Sequence, residues 1–182
     1  MIFLYFADFK QYDTLNGEGI RHSLFVSGCS HKCKGCFNAV AWNKEYGKPY
    51  TEETTQMIIK AFKDSPVELT GLSLLGGEPF ENVEGLVDLV DQFTQEFTDK
   101  DIWCWTGYTF EQLCEMSKTD SVLLRMLLKI DVLVDGKFEI DQKDLKLKFR
   151  GSSNQRIIDV QGSLYDWDLT GNPVAVEMLK YY

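Results

Sequence analysis

The chain has 182 residues, of which 44% are hydrophobic and 13% aromatic, and its formal net charge is −9. This length and composition predict one globular domain with a single core and exclude a disordered chain. The acidic balance argues against nonspecific nucleic-acid binding and no apolar run is long enough to cross a membrane, so we expect neither nucleic acid nor a membrane as a partner.

Strands and helices alternate along the chain. In chain order we predict strands or helices over these residues: strand 2–10, strand 22–27, helix 51–63, strand 69–75, helix 82–97, strand 102–105, helix 109–116, helix 123–130, strand 131–135 and strand 156–160. The apolar start at residues 1–6 has no basic residue before it, which indicates a strand rather than a signal peptide, and we expect a cytoplasmic protein. Residues 51–101 hold twelve acidic and three basic residues, which we interpret as a solvated face.

Most of the predicted strands are nearly continuous apolar runs, which is typical of parallel strands buried on both faces. An eight-fold β/α barrel needs about 250 residues, more than this chain has. We therefore predict an α/β fold: a partial, half-open β/α barrel of about five or six β/α units. Residues 1–182 form a single domain with a core at about 12–160, and residues 161–182 form a tail to which no structure is assigned.

The most informative motif is a run of three cysteines, Cys29, Cys33 and Cys36, spaced C-x3-C-x2-C in the loop after the strand at 22–27. The chain has five cysteines, an odd number with three of them clustered, which favours a metal site in a reducing compartment over a disulfide framework. Thiolates are soft ligands that suit an iron–sulfur cluster or zinc. A 4Fe–4S cluster held by three cysteines would leave one iron open to a ligand that is not protein.

Two closed sites compete with this interpretation. Zinc could be bound by the three cysteines together with His22 or His31, although the second knuckle usual for structural zinc is missing. A four-cysteine cluster would need Cys104 or Cys114, which are isolated in the sequence and which we predict to be small core residues. The spacing favours the open cluster.

The cysteine loop resembles the signature of the radical S-adenosylmethionine (SAM) superfamily. Gly35 precedes the third cysteine, where many members have an aromatic residue. With Gly35, the run at 25–38 is similar to the activating proteins of anaerobic ribonucleotide reductases, and the similarity extends over about residues 12–160. The other stretches that carry it are 16–21, 105–109, 134–138 and 151–156.

This resemblance implies a reaction. The open iron would chelate SAM, and an electron from reduced flavodoxin or ferredoxin would cleave SAM to methionine and a 5′-deoxyadenosyl radical. That radical would take a hydrogen atom from a glycine of the large subunit of an anaerobic ribonucleotide reductase. The cofactors implied are therefore a 4Fe–4S cluster and SAM.

The resemblance also implies a set of binding residues. Cys29, Cys33 and Cys36 would hold the cluster, Phe37 would pack on the adenine, and Glu78 or the strand-end backbone would accept a hydrogen bond from the SAM ammonium. The full set expected to contact SAM is Gly35, Cys36, Phe37, Gly76, Gly77, Glu78, Thr106, Asp135 and Lys137.

Simpler interpretations of these motifs remain. The Gly-Gly-Glu-Pro run at residues 76–79 could be only a tight strand-to-helix turn, and Asp135-Gly136 is also a common hairpin signal. At the level of function, one alternative is a small radical SAM synthase that acts on a soluble metabolite. Another is a noncatalytic iron–sulfur or zinc protein.

Overall fold

The computed structural model describes residues 4–178, except for the side chains of residues 168–170, and shows an α/β fold built on one mixed sheet. The strands are β1 Tyr5–Asp13, β2 Arg21–Val26, β3 Lys48–Pro49, β4 Gly71–Gly76, β5 Asp101–Trp105, β6 Val132–Asp135, β7 Arg156–Asp159 and β8 Val176–Glu177. The helices are α1 Glu52–Lys63, α2 Val83–Glu96, α3 Phe110–Ser117, α4 Ser121–Leu127 and α5 Val160–Thr170. The strand order in the sheet is β3-β1-β2-β4-β5-β6-β7-β8.

The centre of the sheet is parallel and its flanks are antiparallel. Strands β2, β4, β5 and β6 run parallel, whereas β1 and β3 on one side and β7 and β8 on the other pair antiparallel. The predicted alternation of strands and helices is confirmed, but the described residues hold four parallel strands rather than five or six β/α units. Two parallel neighbouring strands need a crossover connection of about a dozen residues or more, usually a helix. Residues 14–20 between β1 and β2 are too few for one, and residues 136–155 between β6 and β7 contain no α-helix, so these two pairs are antiparallel.

Both ends of the domain differ from the sequence prediction. The first strand begins at Tyr5 and runs to Asp13, and residues 2 and 3 of the predicted strand lie outside the described residues. The tail forms α5 and β8, and residues 179–182 again lie outside the described part. The start of α5 is capped by Asp159, whose carboxylate accepts the backbone N–H of Gly162 at 3.0 Å, so the predicted strand ends one residue early.

The helices cover one face of the sheet. Residues of α1, α2, α3 and α4 pack with the strands in one large core, where the rings of Phe62 and Phe93 meet edge to face at 4.9 Å. Cys104 and Cys114 are fully buried in this core, which confirms that they are core residues. On the opposite face of β5 and β6, a small separate cluster contains Trp103 and Val134.

A buried arginine aligns the parallel strands at their amino ends. The guanidinium of Arg21 donates to the hydroxyl of Ser73 at 2.8 Å and to the carbonyl of Leu72 at 2.9 Å, and it pairs with Asp101 at 2.5 Å. It also lies over the ring of Trp103. Because these contacts hold β2, β4 and β5 in register, their carboxyl ends finish at the same edge.

Among the helices of residues 4–178, none has the length and apolarity that a bilayer span needs.

Candidate functional site

A cavity of about 500 Å³ opens at the carboxyl edge of the four parallel strands. Chemistry-bearing loops collect at this edge in α/β sheets, because every parallel strand delivers its next residues there. The lining residues are Leu15, Asn16, Cys29, His31, Cys33, Gly35, Cys36, Phe37, Trp42, Leu75, Gly76, Gly77, Glu78, Trp105, Thr106, Gly107, Gly136, Phe138, Lys143, Asp144, Leu145, Leu147, Phe149, Arg150, Gly151 and Gln155.

Nine of the eleven residues singled out from the sequence meet in this lining. Those nine are Cys29, Cys33, Gly35, Cys36, Phe37, Gly76, Gly77, Glu78 and Thr106. They come from the loops that follow β2, β4 and β5, so three separate segments supply one site. Asp135 and Lys137 are not in the lining, although Gly136 between them is.

All three clustered cysteines are free and half-buried. The loop that carries them leaves β2 at Gly28, which has a φ of 95° and donates its N–H to the carbonyl of Ala41 at 2.8 Å. A backbone hydrogen bond of 3.1 Å from Cys36 to Cys33 closes the turn between the last two thiols. Burial raises the pKa of the Cys29 thiol to about 11, and the nearby carboxylates of Glu78 and Glu81 add to this, so the thiolate form needs a cationic group such as bound metal.

Neither histidine lies free to complete a zinc site. Within residues 4–178, no three His, Cys, Asp or Glu side chains converge on a point where a single metal ion could sit. His22 is buried in the core, edge-on to Tyr12, and its Nδ1 accepts the N–H of that residue at 3.2 Å. The Nε2 of His31 lies 3.0 Å from the carboxylate of Glu78. The zinc set considered from the sequence would therefore have to break one of these contacts.

The carboxylate of Glu78 is buried and holds several loops together. Its Oε1 accepts the hydroxyl of Thr106 at 2.8 Å and the N–H of Phe80 at 3.0 Å. Its Oε2 accepts the N–H of Gly107 at 2.7 Å and pairs with His31. Four partners occupy the acceptor positions of this carboxylate. This carboxylate therefore links the loops that follow β2, β4 and β5.

His31 reaches Glu78 only because residue 107 is a glycine. A Cβ added at Gly107 would lie 2.6 Å from Nε2 of His31 and closer still to Cδ2. The imidazole also meets the ring of Tyr108 edge-on at 4.6 Å. From the sequence, His31 is a candidate only as a zinc ligand, although its position between two cysteines is a signal that it belongs to the site.

Two more polar residues tie the cysteine loop to the turn after β4. Glu81 accepts hydrogen bonds from the backbone and hydroxyl of Ser30 and from the hydroxyl of Tyr108. Burial raises the pKa of Tyr108 to about 12, with Glu81 as the next cause. The amide of Asn82 donates to the carbonyls of Glu78 at 2.8 Å and Ser27 at 3.2 Å. Neither Glu81 nor Asn82 is a candidate from the sequence, because their partners Ser30, Tyr108 and Ser27 lie 27 to 55 positions away in the chain.

Asp135 supports the site from behind the lining. It is 1% exposed, accepts the N–H of Phe110 at 2.8 Å at the start of α3, and pairs with Arg156 at 2.5 Å. Hydrogen bonds from Arg156 to Asp135 and then to Glu111 raise the pKa of the arginine above its usual range. Lys137 is exposed, and its carbonyl accepts a hydrogen bond from Asn154.

The far wall of the cavity comes from a segment in which no helix or strand is predicted from the sequence. This connecting loop, residues 138–151 between β6 and β7, contributes eight residues to the lining, among them Lys143, Leu145 and Arg150. It is fastened to the sheet by Trp105, whose indole N–H donates to the carbonyl of Phe149 at 2.8 Å.

The chain is similar in sequence to a known family of iron–sulfur proteins. A family model described as a 4Fe-4S single cluster domain matches residues 15–158. The chain is 46% identical over 155 residues to the anaerobic ribonucleoside-triphosphate reductase-activating protein of Vibrio cholerae, covering 82% of this chain and 96% of that protein. It is 42% identical over 154 residues to the protein of the same name from Pasteurella multocida, covering 84% and 95%.

A phage protein of that name is also similar. The enterobacteria phage T4 protein is 41% identical over 147 residues, which is 80% of this chain and 87% of the phage protein. Similarity at this level over nearly the full length of each relative places the chain in their family. This chain belongs to the 4Fe-4S single cluster domain family and, within it, to the anaerobic ribonucleoside-triphosphate reductase-activating proteins.

Proposed function

We propose that this chain activates an anaerobic ribonucleoside-triphosphate reductase by generating its glycyl radical. The observation that carries the proposal is that Cys29, Cys33 and Cys36 line the same cavity as the Gly-Gly-Glu turn after β4. Relatives that match the chain at 41–46% identity are named as activating proteins of an anaerobic ribonucleoside-triphosphate reductase. The soluble-metabolite alternative has no comparable support.

The donor set of the cavity fits a 4Fe–4S cluster. Three half-buried thiols, none of them in a disulfide, stand on one wall. In such a cluster each cysteine binds a different iron, so the thiols need not converge on one point. With three cysteine ligands the fourth iron would face the cavity, whose volume lies within the range usual for small-molecule sites.

When bound together, a reduced 4Fe–4S cluster and SAM supply a 5′-deoxyadenosyl radical that takes a hydrogen atom from a glycine Cα. The protein supplies binding and orientation. The strand-end carbonyls of the turn at residues 76 and 77 would accept the SAM ammonium, and Glu78, which accepts hydrogen bonds from Phe80 and Thr106, would fix that turn. Lys143 and Arg150, cationic residues of the lining, are suited to the SAM carboxylate.

The apolar side of the lining protects a reactive carbon radical from water. Trp105, Phe138 and Phe149 form part of this wall, and Phe37 stands at the mouth, where we propose it meets the adenine. Asp135 and Lys137 are not in the lining, so they would affect SAM binding only indirectly, by positioning Gly136 and the loop that follows it.

We also propose the finer architecture and surroundings implied by the sequence. The sheet would be a half-open barrel wall, since the helices pack on one face and the cavity opens at the strand ends. Reduced flavodoxin or ferredoxin would donate the electron. Five free cysteines suit the reducing cytoplasm.

Anaerobic reconstitution with iron and sulfide, followed by assay with SAM and a reductant, tests this function. We expect about four irons per chain, release of methionine and 5′-deoxyadenosine, and a glycyl-radical electron spin resonance signal once the reductase is added. A protein that cleaves SAM but converts a small metabolite and never produces the reductase signal would contradict the activase. A colourless protein that retains zinc would contradict the whole mechanism.

A further inference from the structure

Three apolar side chains at the mouth of the cavity are largely exposed. Phe37 is 91% exposed, Leu145 89% and Leu15 72%, which are the highest values among the large hydrophobic side chains of the described residues. They come from three separate segments, yet all three line the same cavity. Single exposed leucines are ordinary, but convergence of the most exposed ones on one opening indicates an interaction site.

The loop that carries Leu145 is held firmly at its base. Asn154 donates to the carbonyl of Lys137 at 2.8 Å, and Gln155 donates to the carbonyl of Gly136 at 3.0 Å. The backbone N–H of Ser153 donates to the carbonyl of Gln142 at 2.9 Å. The exposed tip of the loop therefore stands on an ordered base, and a partner that contacts the tip pays less ordering entropy.

The charge of the chain is divided between two segments beside this mouth and the rest of the molecule. Residues 29–48 and 137–150, the two segments that carry Phe37 and Leu145, hold nine basic and four acidic residues. The rest of the chain holds ten basic and 24 acidic residues. The lining itself balances Lys143 and Arg150 against Glu78 and Asp144, so the excess of positive charge lies on the surface beside the mouth, where it attracts and orients an acidic partner surface.

We propose that this mouth, with Leu15 and Leu145 as apolar anchors and Lys146 and Lys148 as the flanking charges, is the docking surface for the glycine-bearing segment of the reductase. The proposal rests on the proposed function. Because the cavity of about 500 Å³ would already hold the cluster and SAM, the segment lies across the mouth as an extended chain that brings only its glycine toward them. Its apolar side chains cover the two leucines, and acidic residues beside it meet the lysines.

The test measures binding of the cluster-loaded protein to the purified reductase large subunit under anaerobic conditions. Leu145→Asp raises the dissociation constant at least about tenfold, as expected for an anchor at an interface. The double variant Lys146→Glu/Lys148→Glu lowers the association rate about tenfold at low salt and flattens its salt dependence.

Matched controls lie at Leu128 and Lys129, exposed neighbours outside the cavity lining. Leu128→Asp and Lys129→Glu should bind the reductase within about twofold of the wild type. All variants are compared at equal iron and sulfide content and equal urea-unfolding midpoint, so that a folding or loading defect is not mistaken for lost docking.

Three results would overturn the proposal. Binding by Leu145→Asp within twofold of its control would show that the mouth is not the docking surface. Unchanged reductase binding with slower cluster reduction by flavodoxin would assign the surface to the electron donor. If the wild type itself cleaves no SAM and forms no glycyl radical, the proposed function fails, and the docking proposal fails with it.

Discussion

The contact between His31 and Glu78 makes Gly107→Ala the most informative single change. Only a methyl group is added, and the N–H of residue 107 that bonds Glu78 is kept. The new Cβ would lie 2.6 Å from Nε2 of His31, whereas an ordinary contact needs about 3.5 Å. The imidazole must therefore move by about 1 Å, which takes its 3.0 Å bond to the carboxylate beyond hydrogen-bonding range.

The cost follows from the burial of Glu78, which is 1% exposed. A hydrogen bond to a charged group contributes about 1.5–3 kcal/mol, and a buried carboxylate deprived of one donor loses a similar amount. We therefore expect the free energy of unfolding to fall by about 2 kcal/mol. In urea, with a slope of about 2 kcal/mol per molar, the midpoint of the cluster-free protein would fall by about 1 M.

A double-mutant cycle with His31→Ala isolates the cause. Once the imidazole is absent, the added methyl group meets no ring, so Gly107→Ala should cost almost nothing in the His31→Ala background. The expected coupling energy is about 2 kcal/mol, the value of the lost bond. Equal costs of Gly107→Ala in both backgrounds would refute the reasoning, because the methyl group would then act through some other contact.

Three further predictions concern the ligands, pH and the support of the site. Cys33→Ala should lose the cluster and SAM cleavage, whereas Cys114→Ala, in the core, should keep both; equal iron loss in the two variants would contradict this division. Burial tends to raise the pKa of Asp13, but four hydrogen bonds lower it to about 2. Because the folded pKa lies below the unfolded value, this stabilisation is complete above about pH 4 and lost toward pH 2, so a wild-type advantage of about 2 kcal/mol over Asp13→Asn in urea unfolding should shrink over that range. An advantage that persists at pH 2 would count against this. Arg156→Ala leaves the buried Asp135 unpaired and should lower the free energy of unfolding by about 2–3 kcal/mol, a value reduced because the arginine is partly exposed; a loss below about 0.5 kcal/mol would mean that the ion pair does not stabilise the fold.

Local pattern determined the types of the elements and the chemistry of the site. Apolar runs and helical periodicity predicted the central strands and α1 and α2, because those signals depend on residues only a few positions apart. The spacing of Cys29, Cys33 and Cys36 likewise indicated a metal site within eight residues of sequence. The strand-end glycines at residues 76 and 77 predicted a close approach of backbone, and the structure shows one to the loop after β2, because a Cβ at Gly77 would lie 2.5 Å from the carbonyl oxygen of Gly28.

The tertiary structure decided which groups remain available for chemistry. The sequence predicts Glu78 as a SAM contact, and only the fold shows that residues 31, 106 and 107 bond its carboxylate. Asp135 pairs with Arg156, which lies 21 residues later in the chain, and it is not among the residues that line the cavity. Leu145 belonged to a stretch with no clear pattern, and only the fold placed it at the mouth. Sequence spacing specifies which side chains can reach each other locally, but whether a polar group is free or already satisfied depends on long-range partners that only the packed chain brings together.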